Sequence, residues 1–379
     1  MKILIVIDQY DSGNNGTTIS AQRFARGLRE RGHEVRVAAA GDPAPDKYVQ
    51  PAIRFPALAD NIIRSQGMVL ARADREVLEE AVCWADMVHF MMPFALSRSG
   101  LKIAEELGRP RTAAFHVQPE NITSTLKLGR SRLVNSAIYS EFRDDFYNRF
   151  THIHCPSNMI ADQLRSHGYT AQLHVISNGI SPEYTYGKLP KEPWMQGFFN
   201  VLMVGRYAGE KRQDELIEAC AKSRHAQEIQ VILAGTGPLE KKYRRLAEKL
   251  PNPIVMSFYE PARLLEILHM ADLYVHTSDA EIEAMSCMEA FACGLVPVIA
   301  DSPRSATPQF ALDGRSLFPA GDTDALAERI DWWIEHPAER QEMERRYAEH
   351  AKQYSLAESI RRTEEMFRQA IAEQRGTRA

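Results

Sequence analysis

The chain has 379 residues, enough for two or three domains of ordinary size. Its apolar share of 44% and charged share of 25% are those of a globular protein with material for more than one core. A net charge of −4 gives no reason to expect a nucleic-acid partner, although it leaves room for a local basic patch.

The cysteines, Cys83, Cys155, Cys220, Cys287 and Cys293, are odd in number and contain no Cys-x-x-Cys pair, which argues against a disulfide framework or a zinc site. Most stand in apolar runs as small buried hydrophobes, and a reducing compartment suits them. The opening run Met1–Asp8 is short for a signal peptide, and no run approaches the roughly 18 apolar residues of a membrane span. A cytoplasmic protein is expected, with any membrane contact peripheral.

Short apolar runs then punctuate the chain. In the first half they are Ile3–Ile7, Val35–Ala39, Met87–Met92, Thr112–His116, His152–Pro156 and Leu173–Ile176. In the second they are Val201–Val204, Val231–Ala234, Ile254–Phe258, Leu273–His276, Val296–Ala300 and Leu317–Phe318. They do not alternate polar with apolar, so both faces should be covered, as in a parallel sheet flanked by helices. Helix-favouring stretches lie between many of them, including Ala21–Leu28, Gln213–Lys222 and Leu239–Lys249. This alternation predicts an α/β protein of two doubly wound, Rossmann-like parallel-sheet domains. The expected division is residues 1–182, a linker over 183–199 rich in Pro and Gly, residues 200–355, and a C-terminal helix over 356–379.

Open α/β sheets bind ligands at the carboxyl ends of their strands. After the first run comes a loop containing Gly13, Asn14, Asn15, Gly16 and Thr17, whose exposed amides at a helix start suit an anion or a hydroxyl-rich group. It is neither a dinucleotide fingerprint nor a P-loop. After the fourth run stands His116, which at a strand end can bond a hydroxyl or a phosphate, or serve only the core. After Val204 come Gly205, Arg206, Lys211 and Arg212. Two cations near a helix start suit a diphosphate, and a solvated basic turn is the plain alternative. Gly235 and Gly237 follow the next run, where small residues let a nucleotide approach the backbone.

The stretch from Ser278 to Pro297 is the most informative. An acidic loop holding Glu281 and Glu283 leads into an apolar helix that carries Glu289, and Gly294 ends it. A carboxylate among Met, Cys, Ala and Phe needs a partner, because burying it unpaired costs several kcal/mol. A ribose diol or a basic side chain would serve.

Taken together, these residues resemble the retaining glycosyltransferases of family 4, which have the GT-B fold. The most specific piece is the pair of glutamates separated by seven residues, Glu281 and Glu289. Supporting pieces are Gly205-Arg206 with Lys211, the segment Gly235–Pro238, Asn178-Gly179 and the segment Phe318–Asp322. The resemblance implies two domains facing a central cleft, with the C-terminal helix crossing back to the first. It implies that Arg206 and Lys211 hold the diphosphate of a nucleotide-sugar such as UDP-glucose. Glu289 would hold the ribose, and Glu281 with Ile282, Glu283 and Ala284 would hold the transferred sugar. His116 would approach that sugar, and the loop from Gly13 to Thr17 would border the acceptor. Two departures stand out: Ile282-Glu283-Ala284 where the family often has Gly-Phe-Gly, and Arg212 where a glycine often follows the lysine.

No cofactor or metal is expected. The segment Asp322-Thr323-Asp324 looks like a metal motif, but it precedes a helix and reads better as an N-cap. For the acceptor, Lys127, Arg130 and Arg132 precede a stripe of Val134, Ile138, Phe142, Phe146 and Phe150 spaced by four. Basic residues beside apolar ones can dock on an anionic membrane surface, whereas the stripe alone is more often a core face. The family includes enzymes that glycosylate diacylglycerol, and a membrane-lipid acceptor is the first expectation. A soluble or polysaccharide acceptor and a GT-B nucleotide-sugar epimerase are the alternatives.

Overall fold

The structure, a computed structural model, describes residues 1–11, 15–56, 68–124, 129 and 131–376. The chain divides into two compact units, residues 1–179 with 356–379, and residues 180–355. Each is built on one wholly parallel sheet.

The first unit has seven strands: β1 (Lys2–Gln9), β2 (Glu34–Ala40), β3 (Lys47–Val49), β4 (Met87–Phe90), β5 (Arg111–Ala114), β6 (His152–Cys155) and β7 (Gln172–Val175). Their spatial order is β3-β2-β1-β4-β5-β6-β7. The chain winds outward from β1 in one direction and then from β4 in the other, so the order reverses between these two strands. The second unit repeats the plan with β8 (Phe199–Val204), β9 (Ile229–Ala234), β10 (Val255–Ser257), β11 (Leu273–His276), β12 (Pro297–Asp301) and β13 (Leu317–Pro319), ordered β10-β9-β8-β11-β12-β13. Here the reversal falls between β8 and β11. In such sheets the crevice for a ligand opens at that switch, beyond the carboxyl ends of the strands.

All twelve apolar runs are strands. The central ones are buried from end to end, as in β4, β9 and β11, because helices cover both faces. Strand β3 had no apolar run to announce it; its three residues, Lys47-Tyr48-Val49, lie half-buried at the sheet edge.

The C-terminal helix, Leu356–Gly376, packs within the first unit. Its Phe367 ring lies 5.1 Å from His89, its Glu364 pairs with Arg31 at 2.5 Å, and its Glu373 meets His152 at 2.9 Å. Gly27 of helix Gly16–Glu30 makes this packing possible. A Cβ there would come 2.7 Å from the side chain of Ile360.

The aromatic stripe differs from a lipid-facing one. Helix Arg132–Asp145 stops before Phe146, which leaves the helical region at φ −138° and ψ −64°. Phe142, Phe146 and Phe150 are then all buried, and Phe146 and Phe150 pack against Phe90. The stripe is core. The same helix leaves Arg132 and Leu133 in solvent at its start, the latter 86% exposed, and Glu141, Asp144 and Asp145 toward its end. Lys127 and Arg130 lie outside the described residues. Among the described residues no helix is long and apolar enough to cross a membrane.

Candidate active site

The residues singled out in the second unit meet at its strand switch. Strand β8 ends at Val204, and the turn Gly205–Arg212 follows it into helix Gln213–Lys222. Strand β11 ends at His276, and the loop Thr277–Ala284 follows it into helix Met285–Ala292. Thr277 ties the two together: its hydroxyl lies 2.8 Å from the carbonyls of both Lys211 and Arg212. The amide of Asp279 donates to the Glu210 carbonyl at 2.8 Å. A third segment, after β12, braces the loop from the other side. There the Ala306 amide donates to the Glu281 carbonyl at 2.9 Å, Ser302 Oγ donates to the Asp279 carbonyl at 2.7 Å, and Arg304 pairs with Asp279.

Glu281 is the electrostatic centre. Lys211 Nζ pairs with its Oε1, and His276 Nε2 lies 3.2 Å from the same oxygen. The His276 contact is a close approach and not a hydrogen bond, because Nε2 has no hydrogen-bond partner among the described residues. Burial pushes the Glu281 carboxyl up, but Lys211 and His276 outweigh it and hold the group well below the usual carboxylate range. It is therefore a fixed anion at neutral pH. His276 is fully buried, and burial, helped by Lys211 and opposed by Glu281, lowers its proton affinity.

Arg206 does not stand open either. Its Nη2 pairs with Glu210 Oε1 at 2.7 Å. An ammonium carries three N–H donors, so Lys211 keeps donors beyond its carboxylate pair. Arg212 turns toward its own helix, pairing with Glu215 at 2.7 Å. Glu289 sits buried in helix Met285–Ala292, the helix that starts where the Glu281 loop ends. Glu283, read as a charge near the sugar loop, is only 2% exposed and raises the pKa of Tyr354, whose hydroxyl burial already pushes up. Ile282 is half-buried beside it.

The two departures from the family's glycines have a backbone consequence. Among the described residues, Arg212 (φ 54°) and Ala284 (φ 68°) are the two non-glycine residues with positive φ. Each precedes the first residue of a helix at the site. The turn keeps the left-handed geometry glycine favours and carries the cost of a Cβ there, about 1–2 kcal/mol per residue. Gly235 and Gly237 have a reason internal to the protein. A Cβ on Gly235 would overlap the Gly205 carbonyl, and one on Gly237 would lie 2.5 Å from the Tyr207 carbonyl oxygen. These glycines let one strand-end turn pack on the next.

The first unit places its candidates differently. Gly13 and Asn14 lie outside the described residues. Asn15 is the N-cap of helix Gly16–Glu30, its Oδ1 accepting from the Thr18 amide at 2.9 Å. Gly16 and Thr17 open that helix. His116 is buried, with its ring edge-on to His154 at 5.3 Å. Burial, then His154 and His89, hold its pKa well below 6.5, so it is neutral. Its Nε2 has no hydrogen-bond partner among the described residues. Asp8, at the end of β1 and so at the strand switch, was not anticipated. Its Oδ1 accepts from the Ala71 amide at 2.9 Å, Oδ2 has no partner among the described residues, and burial pushes its pKa up to about 7. Asp322 caps helix Thr323–Glu335, accepting from the Ala325 amide at 2.9 Å.

His276, Tyr274, Thr277 and Glu210 were likewise missed. A strand-end histidine at the sheet's switch is a usable signal, but in sequence Leu273–His276 reads only as a strand.

Two such sheets define the GT-B class of sugar-transferring enzymes. Residues 14–184 match the model for Glycosyltransferase Family 4, and residues 189–354 match that for Glycosyl transferases group 1. The chain belongs to glycosyltransferase family 4 and is a glycosyltransferase of GT-B fold. It is similar to an alpha-monoglucosyldiacylglycerol synthase of Streptococcus pneumoniae, 24% identical over 79% of this chain and 71% of that one. It is also similar to a GDP-mannose-dependent alpha-mannosyltransferase of Mycobacterium tuberculosis, 23% identical over 79% of each chain. Among solved structures, Anabaena HepE in complex with UDP and glucose has the same fold, with a TM-score of 0.74 at 18% identity over 97% of this chain and all of that one.

Proposed function

We propose that the chain is a retaining hexosyltransferase that takes a hexose from a nucleotide-sugar, UDP-glucose first among the candidates, and passes it to a hydroxyl of a membrane lipid. The observation that carries the donor reading is the arrangement at Glu281. Lys211 pairs with one carboxylate oxygen, His276 Nε2 lies 3.2 Å from the same oxygen, and the second oxygen would accept from sugar hydroxyls. Arg206, on the adjoining turn, and the spare N–H groups of Lys211 take the diphosphate. They stabilise the charge that grows on it as the glycosidic bond breaks, so no metal ion is required for that step. Glu289 takes the ribose.

The acceptor hydroxyl attacks the anomeric carbon from the face the diphosphate leaves, gives up its proton to the departing phosphate oxygen, and retains the configuration. The α linkages named in the two relatives are those that retention yields from α-configured donors. His116, with its unpartnered Nε2, and the loop from Gly13 to Thr17 serve the sugar and acceptor from the first unit.

The lipid reading is supported by the diacylglycerol-directed relative and by Leu133 exposed next to Arg132; Lys127 and Arg130 would add charge for an anionic surface. The test is transfer from a panel of UDP-, GDP- and ADP-sugars to anionic vesicles containing diacylglycerol or a sterol, with a soluble oligosaccharide as the competing acceptor. Glycolipid product supports the proposal, and its persistence in EDTA supports metal independence. Transfer only to the soluble acceptor overturns the lipid assignment. Conversion of the donor without any acceptor would mark an epimerase.

A further inference from the structure

The backbone of Glu281 is held by one isolated rung, beyond the end of the sheet. Its amide donates to the Arg304 carbonyl at 3.3 Å, and its carbonyl accepts from the Ala306 amide at 2.9 Å, which makes a single parallel bridge between Glu281 and Ser305. A rung without neighbours lacks the cooperative support of a sheet. Side chains at Asp279, two residues earlier, supply it. Ser302 Oγ donates to the Asp279 carbonyl at 2.7 Å and lies 3.2 Å from Asp279 Oδ1, and Arg304 Nη2 pairs with the same carboxylate oxygen. The Asp279 amide donates to the Glu210 carbonyl at 2.8 Å. Asp279 thus joins the turn after β8, the loop after β11 and the segment after β12.

The segment that does the holding is itself well tied. The Ser305 amide donates to the Ser302 carbonyl at 3.1 Å, the Arg304 amide donates to Ser302 Oγ at 3.3 Å, and Ser305 Oγ lies 2.9 Å from Thr307 Oγ1. The Arg304 and Asp279 side chains are 26% and 17% exposed, so water screens their attraction only in part. One ion pair of this kind adds little to stability. Its effect here is geometric. With it, Asp279 is fixed at main chain and side chain together, and Glu281 is fixed in register. Arg212, on the neighbouring turn, also feels this carboxylate: burial lowers the pKa of that guanidinium, and Glu215, Asp214 and Asp279 more than offset the burial.

We propose that the Arg304–Asp279 pair determines donor-sugar specificity: it locks the loop carrying Glu281 in one register, so that the carboxylate meets the hydroxyls of one hexose and not those of its epimers. Arg304 and Asp279 act as positioning residues. Discrimination between epimers needs a hydrogen-bonding group held in place, because a loop that shifts re-forms its bonds with the wrong hydroxyl. Without the pair, one rung and one serine hydroxyl remain, and the loop can slide against residues 302–306. The inference rests on Glu281 being the sugar-binding carboxylate.

The test compares kcat/KM for the preferred nucleotide-sugar with that for its C4 epimer: UDP-glucose against UDP-galactose, or the corresponding pair for the nucleotide the enzyme uses. A parental enzyme that turns the two over equally overturns the proposal at once. In the full-length protein, Arg304→Met should lower the ratio of the two values about tenfold, as displacement of a positioned group commonly does. Affinity for the free nucleoside diphosphate (UDP or GDP, matching the donor turned over) should stay parental, since Arg206 and Lys211 are untouched. Arg304→Lys, which can still pair with Asp279, should restore most of the ratio. Partial unfolding lowers both turnovers alike and leaves their ratio unchanged. Equal losses on the two sugars therefore overturn the proposal, and so does a fully parental Arg304→Met. An Arg304→Lys enzyme as unselective as Arg304→Met overturns it too. If Arg304→Met does not fold, Asp279→Asn decides, because it keeps an oxygen for Ser302 and gives up the charge: a lowered ratio supports the proposal, and a parental one overturns it. Glu281→Gln separates the inference from the reading beneath it. Normal turnover there removes the sugar site itself, whereas a dead Glu281→Gln beside a parental Arg304→Met removes only the role of the pair.

Discussion

At and near the ends of its strands the first unit buries groups that burial pushes toward their neutral forms, whereas the second, His276 apart, buries paired charges. In the first, Asp8, His89, His116 and His154 are enclosed. His89 and His154 are pushed down by burial to about 3 and about 4, and Asp8 is pushed up to about 7. In the second, Lys211 meets Glu281, Arg206 meets Glu210, Arg212 meets Glu215 and Arg304 meets Asp279. The two sheets wind alike, so topology does not account for the difference. It fits the proposed division of labour: neutral donors and acceptors suit hydroxyls, whereas a diphosphate would need cations, and buried cations need carboxylate partners.

The largest expected effect probes the charged side. Arg206→Ala should lower turnover by about two to three orders of magnitude, as the loss of a transition-state donor commonly does. Circular dichroism should show the fold intact. Near-parental turnover would break the comparison at its charged end.

Acid should distinguish the units next. His89 and His154 have folded pKa values below the unfolded value of 6.5. Their stabilising contribution is therefore whole above pH 6.5 and is lost as pH falls toward 4 and 3, at about 1.4 kcal/mol per pH unit for each ring. Asp8 works the other way. Its contribution is whole below its unfolded 3.8 and is lost as pH rises through about 7. The histidines outnumber it, and below pH 6 they should dominate. Glu281, depressed in the fold, keeps its contribution to far lower pH. Amide exchange followed from pH 7 to pH 5 should accelerate in β4, β5 and β6 before it does in β8 and β11. Simultaneous acceleration would show that His89 and His154 do not set the acid response of the first unit.

The smallest effect is in the backbone. Ala284→Gly should relieve a left-handed alanine and raise stability by up to about 1 kcal/mol, partly offset by the greater freedom of glycine in the unfolded chain. Arg212→Gly relieves the same strain but gives up the pair with Glu215, so its net change should be nearer zero. Chemical denaturation measures both. A destabilised Ala284→Gly would show that the alanine side chain is needed there.

Much of this architecture was legible in the sequence because parallel strands covered on both faces write themselves as unbroken apolar runs. Lys47–Val49 was invisible because an edge strand of three half-buried residues needs no such run. The stripe from Val134 to Phe150 misled because its spacing fits one helix, whereas the helix ends at Asp145 and the later rings enter the core by another route. Spacing brought Glu281 and Glu289 to notice, but not the pairing of Glu281 with Lys211, 70 residues away. That pairing needs the strand switch to bring two turns together. The glycine departures at Arg212 and Ala284 were visible in the sequence, and their meaning became clear only from the two positive φ angles.

The central claim is that the second unit holds the nucleotide-sugar around Glu281. Amide hydrogen exchange with and without a saturating nucleotide-sugar, chosen as the one that most raises the unfolding temperature, tests it directly. The account predicts protection over residues 205–212 and 278–289. Protection confined to the first unit, with these segments unchanged, would contradict it.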